Sequence, residues 1–317
     1  MATPRISPLP QGASYVELHC LDGGSFIADR GMVHAGGSGK FRMYTWAFYA
    51  KDKESGRHVL WDVGIDQDQT SYPLVVQKLL KSVDAVGPRQ SLAEQLEKRG
   101  VGAHQIDSVL FSHAHWDHSR PIDAEFPAAC GYFGPGTAEH CAPGHLSSPE
   151  ANATVQWDGH FFDPVRRTQR WEEFRGPWVR FGPFDQAMDF FGNGSLWIVQ
   201  APGHMPGNLC AVAHVDGDQW VLLGSDCCHS RRLLDGLEDF GSWHLPDGCR
   251  ASLQADEDAA RDTIRRIRIM EADLHCHVAL AHDEEWMVRG TDPTLMSLID
   301  DEMRAAAREL IPLGKPL

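Results

Sequence analysis

Alternating apolar and polar residues predict several strands in the first third of the chain. The predicted strands are 14–20, 41–50, 57–63 and 106–111. The polar residues 51–56, which end in a glycine, are typical of a turn, so the second and third strands are expected to form a hairpin. The glycine-rich residues 22–39 are expected to form a loop.

The rest of the chain alternates helices with strands, apart from a middle segment. The predicted helices are 72–83, 91–100, 256–272 and 295–311. The second of these opens with Ser-Leu-Ala-Glu, the pattern of a capping box. Strands are predicted at 195–200, 209–214, 219–224 and 275–281, and an Asp-Gly turn makes the second and third of these an antiparallel pair. Strand, helix and strand in succession favour an α/β fold.

The segment from about 121 to 189 lacks a clear period and is rich in proline, glycine and aromatic residues. A long loop-rich segment inside one domain is commonly functional. Its aromatic residues suit a lid or a substrate wall, and equally a contact between two copies of the chain in a homodimer. We treat residues 1–317 as a single domain that carries this segment.

Charge and composition exclude several functions. The chain has 317 residues and a formal net charge of −15, which disfavours nucleic acid and anionic membrane surfaces as partners. The first twenty residues lack the apolar stretch of a signal peptide, and no later run reaches the length of a transmembrane helix. The eight cysteines show no Cys-x-x-Cys pair, so mostly reduced thiols in a cytoplasmic protein are expected, with one or two disulfides as the alternative.

The strand predicted at 106–111 leads directly into a dense group of metal-binding side chains. His113, His115, Asp117 and His118 fall within six residues. Imidazole nitrogens and carboxylate oxygens suit zinc and similar divalent ions. A cation also keeps neighbouring imidazoles neutral, whereas protonated ones repel one another. The cluster therefore predicts a metal site, the alternative being a chance grouping among 17 histidines.

Other loops at predicted strand ends carry residues of the same kind. His204 lies between two predicted strands, Asp226 follows a third, and His282 follows a fourth. Open α/β folds place sites at strand ends, so these residues are expected to join the first cluster. Asp62 also ends a strand, where it is either an ordinary loop carboxylate or a support for a metal-binding histidine.

These motifs resemble the metallo-β-lactamase superfamily. They are His-x-His-x-Asp-His at 113–118, Pro-Gly-His at 202–204, an aspartate at 226 and Ala-His-Asp at 281–283, in the same order over residues 40–290. The resemblance implies an αββα sandwich of two mixed sheets with helices outside and a dinuclear metal site along one edge. It implies that His113, His115 and His204 hold the first metal.

Asp117, His118 and His282 would then hold the second metal, and Asp226 would bridge the two with its two oxygens. No cysteine occupies a ligand position, so two zinc ions are expected, with iron, manganese or cobalt as alternatives. Two such metals sharing a water imply attack of a bridging hydroxide on a carbonyl. Asp117 could also handle the proton, although a role as ligand alone is the simpler assignment.

The pattern around Pro-Gly-His-Met-Pro-Gly-Asn is most similar to N-acyl homoserine lactonases, the quorum-quenching enzymes. We therefore expect a lactonase acting on an acyl homoserine lactone or a related small lactone or ester. Those lactonases often place a tyrosine three residues after the bridging aspartate, where it can bind the lactone carbonyl. This chain has His229 there, which either donates the same hydrogen bond or is a structural histidine. The alternatives are a thioesterase or an amide or lactam hydrolase of the superfamily, and a non-hydrolytic iron-containing member.

Overall fold

The computed structural model describes residues 5–11, 14–147 and 149–317. Its strands are β1 (Val16–Asp29), β2 (Lys40–Asp52), β3 (His58–Trp61), β4 (Ile106–Leu110), β5 (Cys130–Phe133), β6 (Trp171–Glu173), β7 (Val179–Phe181), β8 (Phe184–Asp189), β9 (Leu196–Gln200), β10 (Leu209–Val215), β11 (Gln219–Leu223), β12 (Trp243–His244), β13 (Arg250–Ala251) and β14 (His277–Ala279). Its α-helices are α1 (Arg30–Val33), α2 (Leu74–Ser82), α3 (Leu92–Glu97), α4 (Thr137–Cys141), α5 (Pro149–Thr154), α6 (Gly159–Phe162), α7 (Arg231–Leu234), α8 (Glu257–Ala272), α9 (Glu285–Arg289), α10 (Pro293–Met296) and α11 (Asp301–Leu310). Short 3-10 turns occur at Gln69–Ser71, Ala103–Gln105, Ser225–Cys227 and Ile311–Leu313.

Two mixed sheets carry the fold. Within the described ranges, β1 to β6 follow one another across the first sheet, and the order in the second is β14-β11-β10-β9-β8-β7. β3, β4, β5 and β6 are parallel to one another, as are β11 and β14, while the other neighbouring pairs in these two sheets are antiparallel. β12 and β13 form a separate small pair.

The two sheets pack face to face, and alternation along their strands decides which side chains lie between them. In β2, Trp46 and Phe48 point into a core shared with Ile198 of β9 and Ala211 of β10. The intervening residues of β2 and β10 point outward into two other apolar clusters. This arrangement confirms the predicted αββα sandwich.

Helices cover the outer faces of both sheets. α8 begins at its N-cap Asp256 and buries Ile264 and Ile267 against β10 and β11. Each buried isoleucine contributes roughly 1.5–3 kcal/mol through removal of apolar surface from water. On the other side, α3 opens with the predicted capping box of Ser91 and Glu94 and buries Leu92 and Leu96. In the part of the chain that is described, no helix has both the length and the apolar character needed to cross a membrane.

The structure differs from the sequence-based expectation at three places. β1 continues through the predicted loop as far as Asp29, with an irregular register between Asp22 and Ser25. The helix predicted at 295–311 is divided into α10 and α11. The segment 121–189 is more regular than its composition suggests, because β5 and β6 extend the first sheet and β7 and β8 extend the second.

Candidate metal centre

The candidate ligands lie on loops at one edge of the sandwich. The loop 112–118 follows β4, His204 follows β9, and Asp226 and His282 follow β11 and β14. β9, β11 and β14 run in the same direction, so their carboxyl ends meet at one edge. A backbone hydrogen bond from the Leu209 amide to the Ser112 carbonyl, at 2.8 Å, ties the loops of the two sheets together.

A first group consists of His113, His115, His204 and Asp226, whose ligand atoms all lie within 4.8 Å of one another. Nδ1 of His115 lies 2.9 Å from Nε2 of His113 and 2.9 Å from Nε2 of His204. Oδ2 of Asp226 lies 3.5 Å from Nε2 of His204 and 3.8 Å from Nε2 of His113. Three ring nitrogens therefore converge beside one carboxylate oxygen.

A second group consists of Asp117, His118 and His282, on the other side of Asp226. Oδ2 of Asp117 lies 3.6 Å from Nε2 of His118 and 3.5 Å from Nε2 of His282. Oδ1 of Asp226 lies 3.3 Å and 3.1 Å from the same two nitrogens. Oδ1 of Asp226 faces the second group, whereas Oδ2 lies between the groups, because it is also 3.3 Å from Nε2 of His282. One buried carboxylate thus contacts both groups.

Hydrogen bonds among these side chains cannot satisfy the polar atoms that converge. Nε2 of His118 and Oδ1 of Asp226 are buried and have no hydrogen-bond partner among the described residues. Nδ1 of His115 faces two nitrogens although a ring nitrogen offers only one proton or one lone pair. Buried polar atoms without partners are costly, and cations in the two groups would satisfy them. The donor set therefore fits two divalent metals.

Contacts behind the rings orient the histidines toward the centre. Nδ1 of His282 donates to the Tyr44 carbonyl at 2.7 Å, and Nδ1 of His118 donates to Oδ2 of Asp62 at 2.9 Å. Each hydrogen bond fixes the tautomer that leaves Nε2 with a free lone pair.

Asp62 is the link between this support and the backbone. It is fully buried and adopts a φ of 59°, a left-handed conformation that aspartate tolerates better than most residues. Its carboxylate also accepts hydrogen bonds from the Ser112 amide and hydroxyl, both at 2.7 Å. The structure therefore favours the second sequence-based interpretation, in which Asp62 supports a histidine of the site.

Burial and charge divide the histidines into two kinds. Burial holds the pKa of His113 and His204 well below the ordinary value and lowers the pKa of His115 to about 4. Burial also disfavours charge on His118, yet the carboxylates of Asp226 and Asp117 raise its pKa well above the ordinary value. Burial likewise opposes ionisation of Asp226, but His282 and His118 hold its pKa well below the usual range. The negative charge of Asp226 stabilises protons on His118 and His282, and bound dications would take the place of these protons.

His229 lies directly against this centre. Its Nε2 is 3.1 Å from Oδ2 of Asp226, and its ring lies nearly parallel to that of His282, with centroids 5.7 Å apart. Its side chain is buried. The structure thus places His229 beside the central carboxylate, and its contact with a substrate carbonyl stays a prediction.

Trp157 also reaches the centre, which the sequence did not indicate because the contact joins distant parts of the chain. Its ring stacks on that of His115 at a centroid distance of 5.8 Å and an interplanar angle of 18°. Trp116, inside the histidine motif, packs instead edge-on against Phe26, with centroids 5.0 Å apart.

A third histidine–aspartate cluster flanks Trp157 and consists of His145, Asp158 and His160. Its polar atoms are largely paired. The Gly159 amide donates to Nδ1 of His145 at 2.6 Å, and Oδ1 of Asp158 accepts from the His160 amide at 2.8 Å as the N-cap of α6. One oxygen of Asp158 has no partner among the described residues. A single free atom is fewer than the three or four protein ligands that zinc needs. We therefore assign this cluster a structural role.

Comparison with known proteins finds relatives named as a metallo-hydrolase and as a γ-lactamase. No family model matches the chain. The metallo-hydrolase mfmC of Annulohypoxylon moriforme is 30% identical over 261 residues, which are 72% of this chain and 67% of that protein. The γ-lactamase MBL2 of Gibberella moniliformis is 26% identical over 54% of this chain and 70% of that protein.

Longer relatives and solved structures extend the similarity. A cytochrome P450 monooxygenase, mpaDE′ of Penicillium brevicompactum, is 27% identical over 87% of this chain. The chain spans about a third of the length of that relative (34%), so the activity in its name is not carried over. The structure of an N-acyl homoserine lactone hydrolase with the product N-hexanoyl-L-homoserine at its metal centre matches with a TM-score of 0.60. The two sequences are 14% identical, and the match covers 86% of this chain and 95% of that chain. With a relative at 30% identity over two thirds of its length and with this fold, the chain belongs to the metallo-β-lactamase superfamily and is a metal-dependent hydrolase.

Proposed function

We propose that the protein is a dinuclear lactonase, which opens the ring of a small lactone. One observation carries the dinuclear part of the proposal. The carboxylate of Asp226 lies 3.1–3.8 Å from ring nitrogens of both histidine groups, so one buried carboxylate stands between two sets of ligands. The lactone part is supported by the similar fold of the hydrolase with a lactone product at its metals.

Seven side chains would hold the two metals. His113, His115 and His204 are assigned to the first, Asp117, His118 and His282 to the second, and Asp226 to both. The ligand atoms are all nitrogen or oxygen, which suits zinc and also admits iron, manganese or cobalt. Metals bound there would supply an activated water and would polarise the substrate carbonyl.

The chain's own residues would then position the proton and the substrate. Oδ2 of Asp117 faces the two imidazoles of its group, and we assign Oδ1 to hold the proton released by the attacking water. His229 would hold Asp226 through its Nε2, at 3.1 Å, and we assign it the further role of donating to the substrate carbonyl when the substrate displaces that contact.

The test combines metal analysis with a substrate panel. Protein purified without chelator should contain about two metals per chain, and removing them should abolish turnover that zinc, manganese or cobalt restores. The panel contains acyl homoserine lactones, an aromatic lactone, S-lactoylglutathione and a γ-lactam. Opening of the lactones and the thioester is followed by acid release at constant pH. Opening of the γ-lactam is followed by chromatography of the remaining lactam, because the freed amine takes up the proton of the new carboxylic acid. Fewer than about one and a half metals per chain would contradict the dinuclear site, and lactone hydrolysis no faster than in buffer would contradict the lactonase.

A γ-lactam hydrolase is the second candidate. The observation that favours it is the similarity to the γ-lactamase of Gibberella moniliformis. The same seven residues would serve both reactions, since each begins with attack of water on a ring carbonyl. Faster turnover of the γ-lactam than of every lactone in the panel would select this function.

A further inference from the structure

His115 is the most exposed of the seven candidate ligands. Six of the seven ligand side chains in the candidate metal centre belong to residues that are at most 5% exposed, whereas His115 is half-buried. The partly exposed ring of His115 is therefore the part of the centre that we consider for contact with a substrate. Trp157, which stacks on that ring, is itself half-buried, so the stacked pair is partly exposed beside the first ligand group.

Trp157 is held firmly in this position. Its carbonyl accepts a hydrogen bond from the His145 amide at 3.1 Å, and the next residue, Asp158, caps α6. α6 is anchored in turn by Phe161 and Phe162, which are buried in the apolar cluster on the outer face of the first sheet. The ring of His140 contacts the indole edge-on, with centroids 5.2 Å apart.

We propose that Trp157 is a specificity-determining residue whose indole forms the wall of the substrate site beside the first metal. The inference rests on the proposed lactonase function and adds a substrate class to it. An indole offers a large, rigid apolar surface, which gains energy by burying an apolar group, and a pair of aromatic rings gains more than the buried area alone provides. The preferred substrate therefore carries an apolar group, aryl or long acyl, close to the scissile ester.

The wall is tested with three substrates that share one lactone ring. N-acetyl-, N-benzoyl- and N-decanoyl-homoserine lactone differ only in the group that would contact Trp157. KM and kcat are measured for the wild type, Trp157→Ala and Trp157→Phe. The matched control is Trp178→Ala, since Trp178 lies in the same segment but packs against the core between the sheets.

In Trp157→Ala, KM for the benzoyl and decanoyl lactones should rise about tenfold, because a tenfold loss corresponds to the energy of one good aromatic contact. KM for the acetyl lactone and kcat for all three should change less than about twofold. Trp157→Phe should keep most of the preference, and Trp178→Ala all of it. An equal loss of kcat on all three substrates would overturn the proposal, since it would mean that Trp157 only supports His115.

Metal content and circular dichroism show whether each variant is folded and loaded, and Trp157→Gln replaces the alanine variant if that protein does not fold. If the wild type opens none of these lactones, the lactonase proposal fails separately. The wall is then judged by calorimetry of N-decanoyl- and N-acetyl-homoserine with the metal-loaded proteins. A decanoyl preference that Trp157→Ala abolishes supports the wall, and equal affinity of the wild type for both overturns it.

Discussion

Two clusters of histidine and aspartate adjoin Trp157, and only one has the features of a metal centre. In the candidate metal centre, ring nitrogens and carboxylate oxygens converge with no proton arrangement that satisfies them all. In the cluster of His145, Asp158 and His160, the Gly159 and His160 amides occupy the inward-facing atoms. Both clusters contain histidine and aspartate side chains in groups whose ligand atoms lie within 4.8 Å of one another.

The difference teaches that residue type alone does not define a metal site. What distinguishes the candidate metal centre is that Nδ1 of His118 and Nδ1 of His282 are bound to Asp62 and to the Tyr44 carbonyl, which leaves their Nε2 atoms free. In the cluster of His145, Asp158 and His160, Nδ1 of His145 and Oδ1 of Asp158 already accept hydrogen bonds from backbone amides. The variants below test this contrast, beginning with the largest expected effect.

The strongest contrast comes from removing the aspartate of each cluster. Asp226→Ala removes the carboxylate shared by both ligand groups, so the protein should lose at least one metal per chain. Activity should fall roughly 10³-fold or more, because several kcal/mol of transition-state stabilisation would be lost. Asp158→Ala is the control and should keep the wild-type metal content, measured by inductively coupled plasma spectrometry. Equal metal loss in both variants would remove the distinction between the clusters.

A smaller effect should follow from weakening the support behind His118. Asp62→Asn keeps a residue that tolerates the left-handed conformation but removes the charge that orients the ring. Loss of such a supporting contact typically weakens metal binding by about 10–100-fold. Competition with a chromogenic chelator measures the affinity. Asp218→Asn is the matched control, because Asp218 also has a positive φ, of 58°, but is exposed. Unchanged affinity in Asp62→Asn would leave Asp62 with a purely local role.

The sequence predicts the centre better than its surroundings because the two depend on different information. The ligand loops follow strands that the alternation and the motif locate, so the sequence alone predicts that His113, His204 and Asp226 meet at one edge. In the segment 121–189, the strands β6 and β7 escape detection because they have three residues each, too few to show a period.

The division of the last predicted helix has a similar local cause. Asp292 and Asp300 each cap a helix N-terminus, so the chain starts a new helix at α11 where the apolar pattern alone continues. The contact between Trp157 and His115 is of another kind, since it joins residues 42 positions apart that neither period nor motif connects.

The smallest expected effect is a pH-dependent loss of stability in Asp158→Ala. The hydrogen bond from His160 to Asp158, at 2.8 Å, raises the pKa of His160 above its ordinary value of 6.5. A group with a raised pKa in the folded protein stabilises it fully below its unfolded value, and this contribution disappears as the pH rises through the folded value. Burial meanwhile lowers the pKa of neighbouring His145, which favours the neutral ring.

Asp158→Ala should therefore cost more at pH 5.5 than at pH 8, where the lost helix cap alone should remain at about 1 kcal/mol. Urea unfolding of the metal-free protein at both pH values measures the difference. Asp256→Ala is the matched control, because Asp256 caps α8 through the Ala259 amide without an imidazole partner among the described residues. Its cost should be the same at both pH values. If the two variants respond alike to pH, His160 is not paired with Asp158 in solution. The structural role of the cluster of His145, Asp158 and His160 then rests on its backbone hydrogen bonds alone.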